Sequence, residues 1–420
     1  MYQKATLNNG LRIITSEMPH TRSVSVCIFV GVGSRHEVDT VAGVSHFIEH
    51  LCFKGTPKRA AARDIATAIE GIGGIINAGT DKELTIYWSK VASIHFPLAL
   101  DVLADILLNS KFEAAEIERE RQVIVDEIHM VKDSPYQRVG MLIDELLWPD
   151  HPLGRDIAGS TESVTALTRG DMLKFMSGRY YPGNTVVTVA GSIQHADVVQ
   201  RIEEVLGHWT GSSPETGFLA YRDRHNPRLK VETRDTEQTH LCLALPGLSM
   251  LHPERYVLDL LNVILGEGMS SRLFSEIRDN QGLAYSIHSF MEHFLDSGAL
   301  TIYAGVEHQN LKITIQEILK QLASLKEPVP DSELIKAREL SKGRLLLRME
   351  DSRSVAGWTG GQEVLTGKIR TVDEVVAILD AITAEEISQL AQELLTADLL
   401  RLAVVGPTVG DEDLEGLLKL

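Results

Sequence analysis

Cysteine is scarce in this chain, and the scarcity is informative. Its 420 residues hold three cysteines, Cys27, Cys52 and Cys242, odd in number, far apart and without a C-x-x-C pair. A disulfide framework is excluded, and the three read as buried free thiols in a reducing compartment. Positive charge is also short. Forty-one Lys and Arg face 58 Asp and Glu, a net charge of −17, which disfavours a nucleic-acid or anionic-membrane partner and favours cationic ones. No run approaches the ~20 apolar residues that span a bilayer, and the first ten residues show no basic segment leading into an apolar one. These absences lead to the expectation of a cytoplasmic protein with no membrane and no nucleic-acid partner.

What is present is an ordinary globular composition, 44% hydrophobic and 24% charged with 33 Gly and 14 Pro. At this length at least two domains are expected. Self-similarity supports that count. Leu84-Thr-Ile-Tyr87 recurs 216 residues later as Leu300-Thr-Ile-Tyr303. Helical patterns follow both copies, near Phe96 to Leu107 and Leu311 to Leu325, and each half closes on a β-branched run, Thr185 to Gly191 and Leu400 to Gly406. Strand signals open each half at Leu11–Thr15 with Ser23–Val30, and at Leu229–Thr233 with Thr239–Leu245. Strands followed by runs of helix predict an α+β fold: two homologous domains, each a mostly antiparallel sheet packed with helices. A Gly/Ser/Pro-rich stretch places the linker at 213–228, between domains 1–212 and 229–420.

Chemistry concentrates in His46-Phe-Ile-Glu-His50. On a helix, residues i and i+4 share a face, so both imidazoles address one point and can share one Zn²⁺. Glu49 lies on the same side and suits a general base acting on water. A third ligand is expected from the helix around Glu116–Ile128, where Glu127 follows Val123, Ile124 and Val125 in what reads as its inner, apolar part; an unpaired carboxylate there would be costly. Glu120, two turns earlier, could support the site from behind. The bland alternatives are a satisfied core histidine at 50 and a solvated glutamate at 49. Against them, displacement by 216 or 217 residues carries 46, 49, 50 and 127 to Asn262, Leu265, Gly266 and Arg344, so the repeated scaffold does not itself demand these ligands.

The chain resembles the inverzincin metallopeptidases of the pitrilysin and insulinase type, closest to bacterial two-domain peptidases similar to mitochondrial processing peptidase. Gly31-Val-Gly-Ser-Arg-His-Glu37, Gly43 to Thr56, Asn77-Ala-Gly-Thr-Asp-Lys-Glu83, Glu120 to Ile128 and His151-Pro-Leu-Gly154 carry the likeness, which covers essentially the whole sequence. Family spacing puts the third ligand 76 residues beyond the second histidine, which fits Glu127. The resemblance implies one Zn²⁺ per chain on His46, His50 and Glu127, Glu49 as catalytic base, and an edge strand at Asn77 and Ala78 that takes the peptide. It also implies substrate and oxyanion contacts from Arg278 and Tyr285, which otherwise read as a surface helix end and a core strand aromatic. In Leu265-Gly-Glu-Gly-Met-Ser-Ser-Arg-Leu-Phe274, Glu267 stands where a third glycine is common.

Family members carry four such domains in one chain or pair two-domain chains. A homodimer is therefore expected, with a heterodimer with a non-catalytic homologue as its alternative, and Arg278 and Tyr285 serving the partner's zinc. The functional expectation is a zinc endopeptidase that cleaves extended peptides inside a closed chamber, basic ones preferentially if acidic residues line it. The rival is a catalytically silent structural or partner subunit of the same fold.

Overall fold

The computed structural model describes residues 2–212, 217–222, 227–407 and 413–420. Two compact units emerge, each a sheet with helices.

The first unit contains a six-stranded sheet of order β1-β2-β6-β3-β5-β4, formed by β1 (Gln3–Thr6), β2 (Arg12–Glu17), β3 (Ser23–Val30), β4 (Ile75–Thr80), β5 (Thr85–Ala92) and β6 (Thr185–Gly191). The second contains a five-stranded sheet of order β7-β11-β8-β10-β9, formed by β7 (Leu229–Thr233), β8 (Thr239–Pro246), β9 (Ala284–His293), β10 (Gly298–Val306) and β11 (Arg401–Gly406). Pairing is antiparallel except for β2 with β6 and β7 with β11.

Central strand β3 shows why helices must cover both faces. Its side chains alternate across the sheet. Val24, Val26, Ile28 and Val30 enter one core with the helices Val44–Cys52 and Phe96–Asn109, while Cys27 and Phe29 enter a second core. The helix that fills this second core, Ser352–Thr366, comes from the far half of the sequence. Gly360 lets it lie close, because a Cβ there would stand 2.1 Å from the Phe29 ring. Polar contacts fasten it: Ser25 Oγ to Ser352 Oγ at 2.9 Å, Thr188 Oγ1 donating to Ala356 O at 3.0 Å, and Arg12 Nη1 to buried Glu363 at 3.2 Å.

The second sheet is covered reciprocally. The helix Pro135–Leu147, from the near half of the sequence, packs Val139, Leu142, Ile143 and Leu146 against Cys242, Ala244, Tyr303, Ala403 and Val405. Arg138 holds Glu232 at 2.7 Å, and Lys230 pairs with Glu145.

This exchange corrects the expected domain boundary. The units comprise Met1–Ile128, Asp156–Leu219 and Leu346–Thr371, and His129–Arg155, Ala220–Leu345 and Val372–Leu420. A single cut at 213–228 would strip each sheet of one covering helix. Of that expected linker, 213–216 and 223–226 lie outside the described residues. Residues beside them are tied down: Arg35 stacks 3.8 Å from the Phe218 ring centroid and donates to Leu219 O at 3.2 Å, and Tyr221 donates to Leu147 O at 3.0 Å.

A second correction concerns the repeat. Cys27 pairs with Trp88 across the first sheet and Cys242 with Tyr303 across the second, so these central strands superpose at a displacement of 215. At 216 the tetrapeptide match is out of register by one, and a one-residue slip turns every side chain to the other face. Tyr87 accordingly lies in the core beside Cys52, whereas Tyr303 faces the exchanged helix.

No single helix among the described residues is long and apolar enough to cross a membrane; one helix pair bent by 100°, Ser93–Asn109 with Ala114–Asp133, passes on length and composition only. The three cysteines are free and buried.

Candidate metal centre

The helix Val44–Cys52 sorts its residues by face. Val44, Phe47, Ile48, Leu51 and Cys52 are buried, which leaves His46, Glu49 and His50 on the opposite flank. Its start is fixed by two devices. Gly43 has φ of +90°, a conformation that favours glycine, and a Cβ there would stand 2.3 Å from Ala158 O. The buried Glu37 carboxylate then caps the helix from outside, accepting from Gly43 N at 2.7 Å and Ser45 N at 2.8 Å, where a negative charge is favoured.

His46 and His50 stack edge to face, ring centroids 4.6 Å apart. The Nε2 atom of each lies 3.8 Å from Glu127 Oε2. One ligand atom from each of His46, His50 and Glu127 lies within 4.8 Å of the others. Two imidazole nitrogens and a carboxylate oxygen brought together in this way fit a zinc ion and leave a fourth position open. Burial, followed by the neighbouring His50, pushes the His46 imidazole down to about 4, so this side chain is neutral at pH 7, the form a metal cation requires.

Glu127 is on the helix Ala114–Asp133, but not in its inner part as expected. Ile117, Glu120, Ile124 and Ile128 form the buried face; Val123 is 49% exposed and the Glu127 side chain 38%. The carboxylate that is buried is Glu120, and its Oε2 lies 3.1 Å from His50 Nδ1.

Glu49 is held by a residue the sequence reading missed. Thr80, at the end of β4, donates its hydroxyl to Glu49 Oε2 at 2.6 Å. Burial raises the Glu49 carboxyl above its ordinary range, opposed by this hydroxyl and by His50. Thr80 lies in the Asn77-Ala-Gly-Thr segment, but only the fold of β4 shows that it reaches the motif helix. Glu37 was equally hidden: a cap six residues ahead of Gly43 has no helical spacing to reveal it.

Asn77 and Ala78 lie in β4, the edge strand of the first sheet, with Asn77 exposed. Arg278 and Tyr285 belong to the second unit and sit together, the guanidinium 5.2 Å from the Tyr285 ring centroid and 4.7 Å from that of Phe274. Tyr285 is 76% exposed, so it is no core aromatic. Arg278 lies in a π-helix, Phe274–Asn280, a form frequent at functional sites. Glu267, in place of the expected glycine, pairs with Arg344.

A duplicated sheet-and-helix fold in which two imidazoles and a carboxylate meet at one point is a scaffold with one candidate metal site. Comparisons with known proteins give the family. A model described as Insulinase (Peptidase family M16) matches residues 12–161, and one described as Peptidase M16 inactive domain matches 166–341. The uncharacterized zinc protease YmxG of Bacillus subtilis is 38% identical over 409 residues, 97% of this chain and 99% of its own length. An uncharacterized zinc protease of Rickettsia bellii is 34% identical over 408 residues, 97% of this chain and 98% of its own. A protease from Helicobacter pylori shares the fold at a TM-score of 0.89 and 23% identity, covering 97% of this chain and 99% of that one. A chain of complex III2 from Candida albicans shares it at 0.84 and 20%, covering 100% of both. This chain belongs to the insulinase family of peptidases, M16.

Proposed function

We propose that the chain is a zinc-dependent endopeptidase that cleaves extended or unfolded peptides inside a chamber closed by pairing with a second copy. The convergence of His46, His50 and Glu127, with Glu49 on the same helix flank, carries this reading. Zinc held by those three residues, one ion per chain, supplies Lewis-acid polarisation and lowers the pKa of water.

The protein's own groups do the rest. The β4 edge at Asn77 and Ala78 pairs with an extended peptide main chain, giving affinity with loose sequence preference. Glu49, held at Oε2 by Thr80, takes a proton from the attacking water and passes it to the departing amine. Arg278 and Tyr285 supply N–H and O–H donors to the carbonyl oxygen as it becomes negative, and in a homodimer they act on the partner's site. Mixing E49Q subunits with Y285F subunits tests this sharing: activity reappears in the hybrid, and its absence refutes it.

The second reading, a silent structural or partner subunit, draws on the matched inactive-domain model and on the fold shared with the complex III2 chain. The complete ligand set in the first unit favours the enzyme. Purified chain incubated with fluorogenic peptides decides between them. Hydrolysis that a chelator abolishes and zinc restores supports the peptidase; stoichiometric zinc without hydrolysis supports the silent subunit or an active subunit awaiting a different partner. At net charge −17, basic peptides should be cleaved faster at low salt, with the advantage fading as salt rises.

A further inference from the structure

The two histidines that meet Glu127 are not held alike. His46 Nδ1 is buried with no hydrogen-bond partner among the described residues. His50 Nδ1 faces Glu120 Oε2 at 3.1 Å, and the other oxygen of the same carboxylate, Oε1, lies 2.7 Å from Lys54 Nζ. Each oxygen of Glu120 thus has its own donor. Lys54 follows the motif helix directly, its backbone N–H donating to Leu51 O at 3.0 Å, so it is fixed to the same element as His50, four residues on. The Glu120 side chain is only 7% exposed, and a carboxylate so enclosed keeps one orientation when both oxygens are bound.

We infer that Lys54 is a positioning residue of the metal site: it pins Glu120 Oε1, which aligns Oε2 on His50 Nδ1–H and turns the His50 Nε2 lone pair toward the ion. An imidazole whose far nitrogen donates to a carboxylate is fixed in tautomer and ring orientation and is a better ligand. Without the ammonium, Glu120 loses the donor on one side and can rotate away from the ring. His50 then joins His46 as a ligand with an unanchored Nδ1. The inference rests on the proposed zinc site.

The test uses the full chain and zinc alone, competed against a chromophoric chelator, for wild type, K54M, K54Q, E120Q and K54M/E120Q. K58M is the control, since Lys58 pairs with Asp101 on the surface. K54M and E120Q each weaken zinc binding by about tenfold or more. The double variant is no weaker than E120Q, because the lysine acts through that carboxylate, and K58M matches wild type. K54Q, a smaller change, follows K54M and decides the result if K54M fails to fold. In the zinc-free protein, nitrogen-15 spectra of the histidines show the Nδ1–H tautomer of His50 in wild type and a mixture in K54M and K54Q, a change that a merely structural role would not produce. Wild-type zinc affinity in K54M and K54Q overturns the inference, as does full addition of the K54M and E120Q losses. A wild-type chain that takes up no zinc contradicts the zinc reading instead, and the His50 tautomer in the zinc-free variants then decides the role of Lys54 separately.

Discussion

The helix Val44–Cys52 of the first unit and the helix Arg255–Gly266 of the second pack against their sheets from corresponding positions, yet they differ in what they leave open. The first is buried on one side only and presents His46, Glu49 and His50 on the other. The second buries Leu260 to Gly266 without a break. The second helix also lies hard against β9, where a Cβ on Gly266 would stand 2.3 Å from Ser289 Oγ. The helix that supplies Glu127 in the first unit has as its counterpart Asp331–Arg348, where Arg344 is paired with Glu267. One copy thus keeps an open flank lined with His46, Glu49 and His50, and the other has filled it with apolar side chains and an internal ion pair. The comparison shows that the scaffold does not require these polar groups, so their presence in the first unit calls for a chemical explanation.

The strongest way to sharpen the contrast is to remove the base alone. E49Q keeps the shape of the site and all three proposed ligands, and peptide hydrolysis should fall about 10²–10⁴-fold while zinc content stays at one per chain. Equal loss of zinc would show that Glu49 is a ligand and not a base. Next in size is the pair in the second unit. Y285F removes one hydroxyl from a side chain that is already exposed, so kcat should fall about 10²-fold with no change in melting temperature. An unchanged kcat would restrict the chemistry to the first unit.

The exchanged helices offer a comparison on stability. Gly360 leaves no room beside Phe29, whereas nothing lies within 4 Å of a Cβ on Gly140 in the reciprocal helix. G360A should destabilise the chain by about 1–3 kcal/mol through overpacking. G140A should be neutral or stabilise by roughly 0.4–1 kcal/mol. Urea midpoints measure both, and similar shifts for the two would show that the helices are not packed as described.

Much of this was legible in the sequence, and the gaps have physical causes. The paired His46 and His50 follow from helical geometry alone, and strands β3, β6 and β11 from their β-branched runs. Whole-chain resemblance supplied Glu127 where local pattern gave the wrong reason: Val123 and Val125 suggested an inner face, but the helix buries Ile117, Ile124 and Ile128 instead. Helix exchange was illegible because the helices that cover the second core of each sheet lie far along the chain from the strands they complete, Pro135–Leu147 before β7 at Leu229 and Ser352–Thr366 after β6 at Gly191, and local periodicity does not name a partner. Register was misread for a related reason. Identical letters at Leu84–Tyr87 and Leu300–Tyr303 are blind to which face of the sheet each side chain takes, and only the pairing of Cys27 with Trp88 and of Cys242 with Tyr303 reveals the slip.

The central claim is that the first unit's His46, His50 and Glu127 bind zinc and that this zinc cleaves peptides. Titrating zinc into metal-free chain while following fluorogenic peptide hydrolysis in the same sample tests it most directly. Activity should rise in proportion to zinc and level off at one equivalent per chain, with E127Q failing to reach that level. Full zinc uptake with no hydrolysis, or hydrolysis untouched by metal removal, would contradict it.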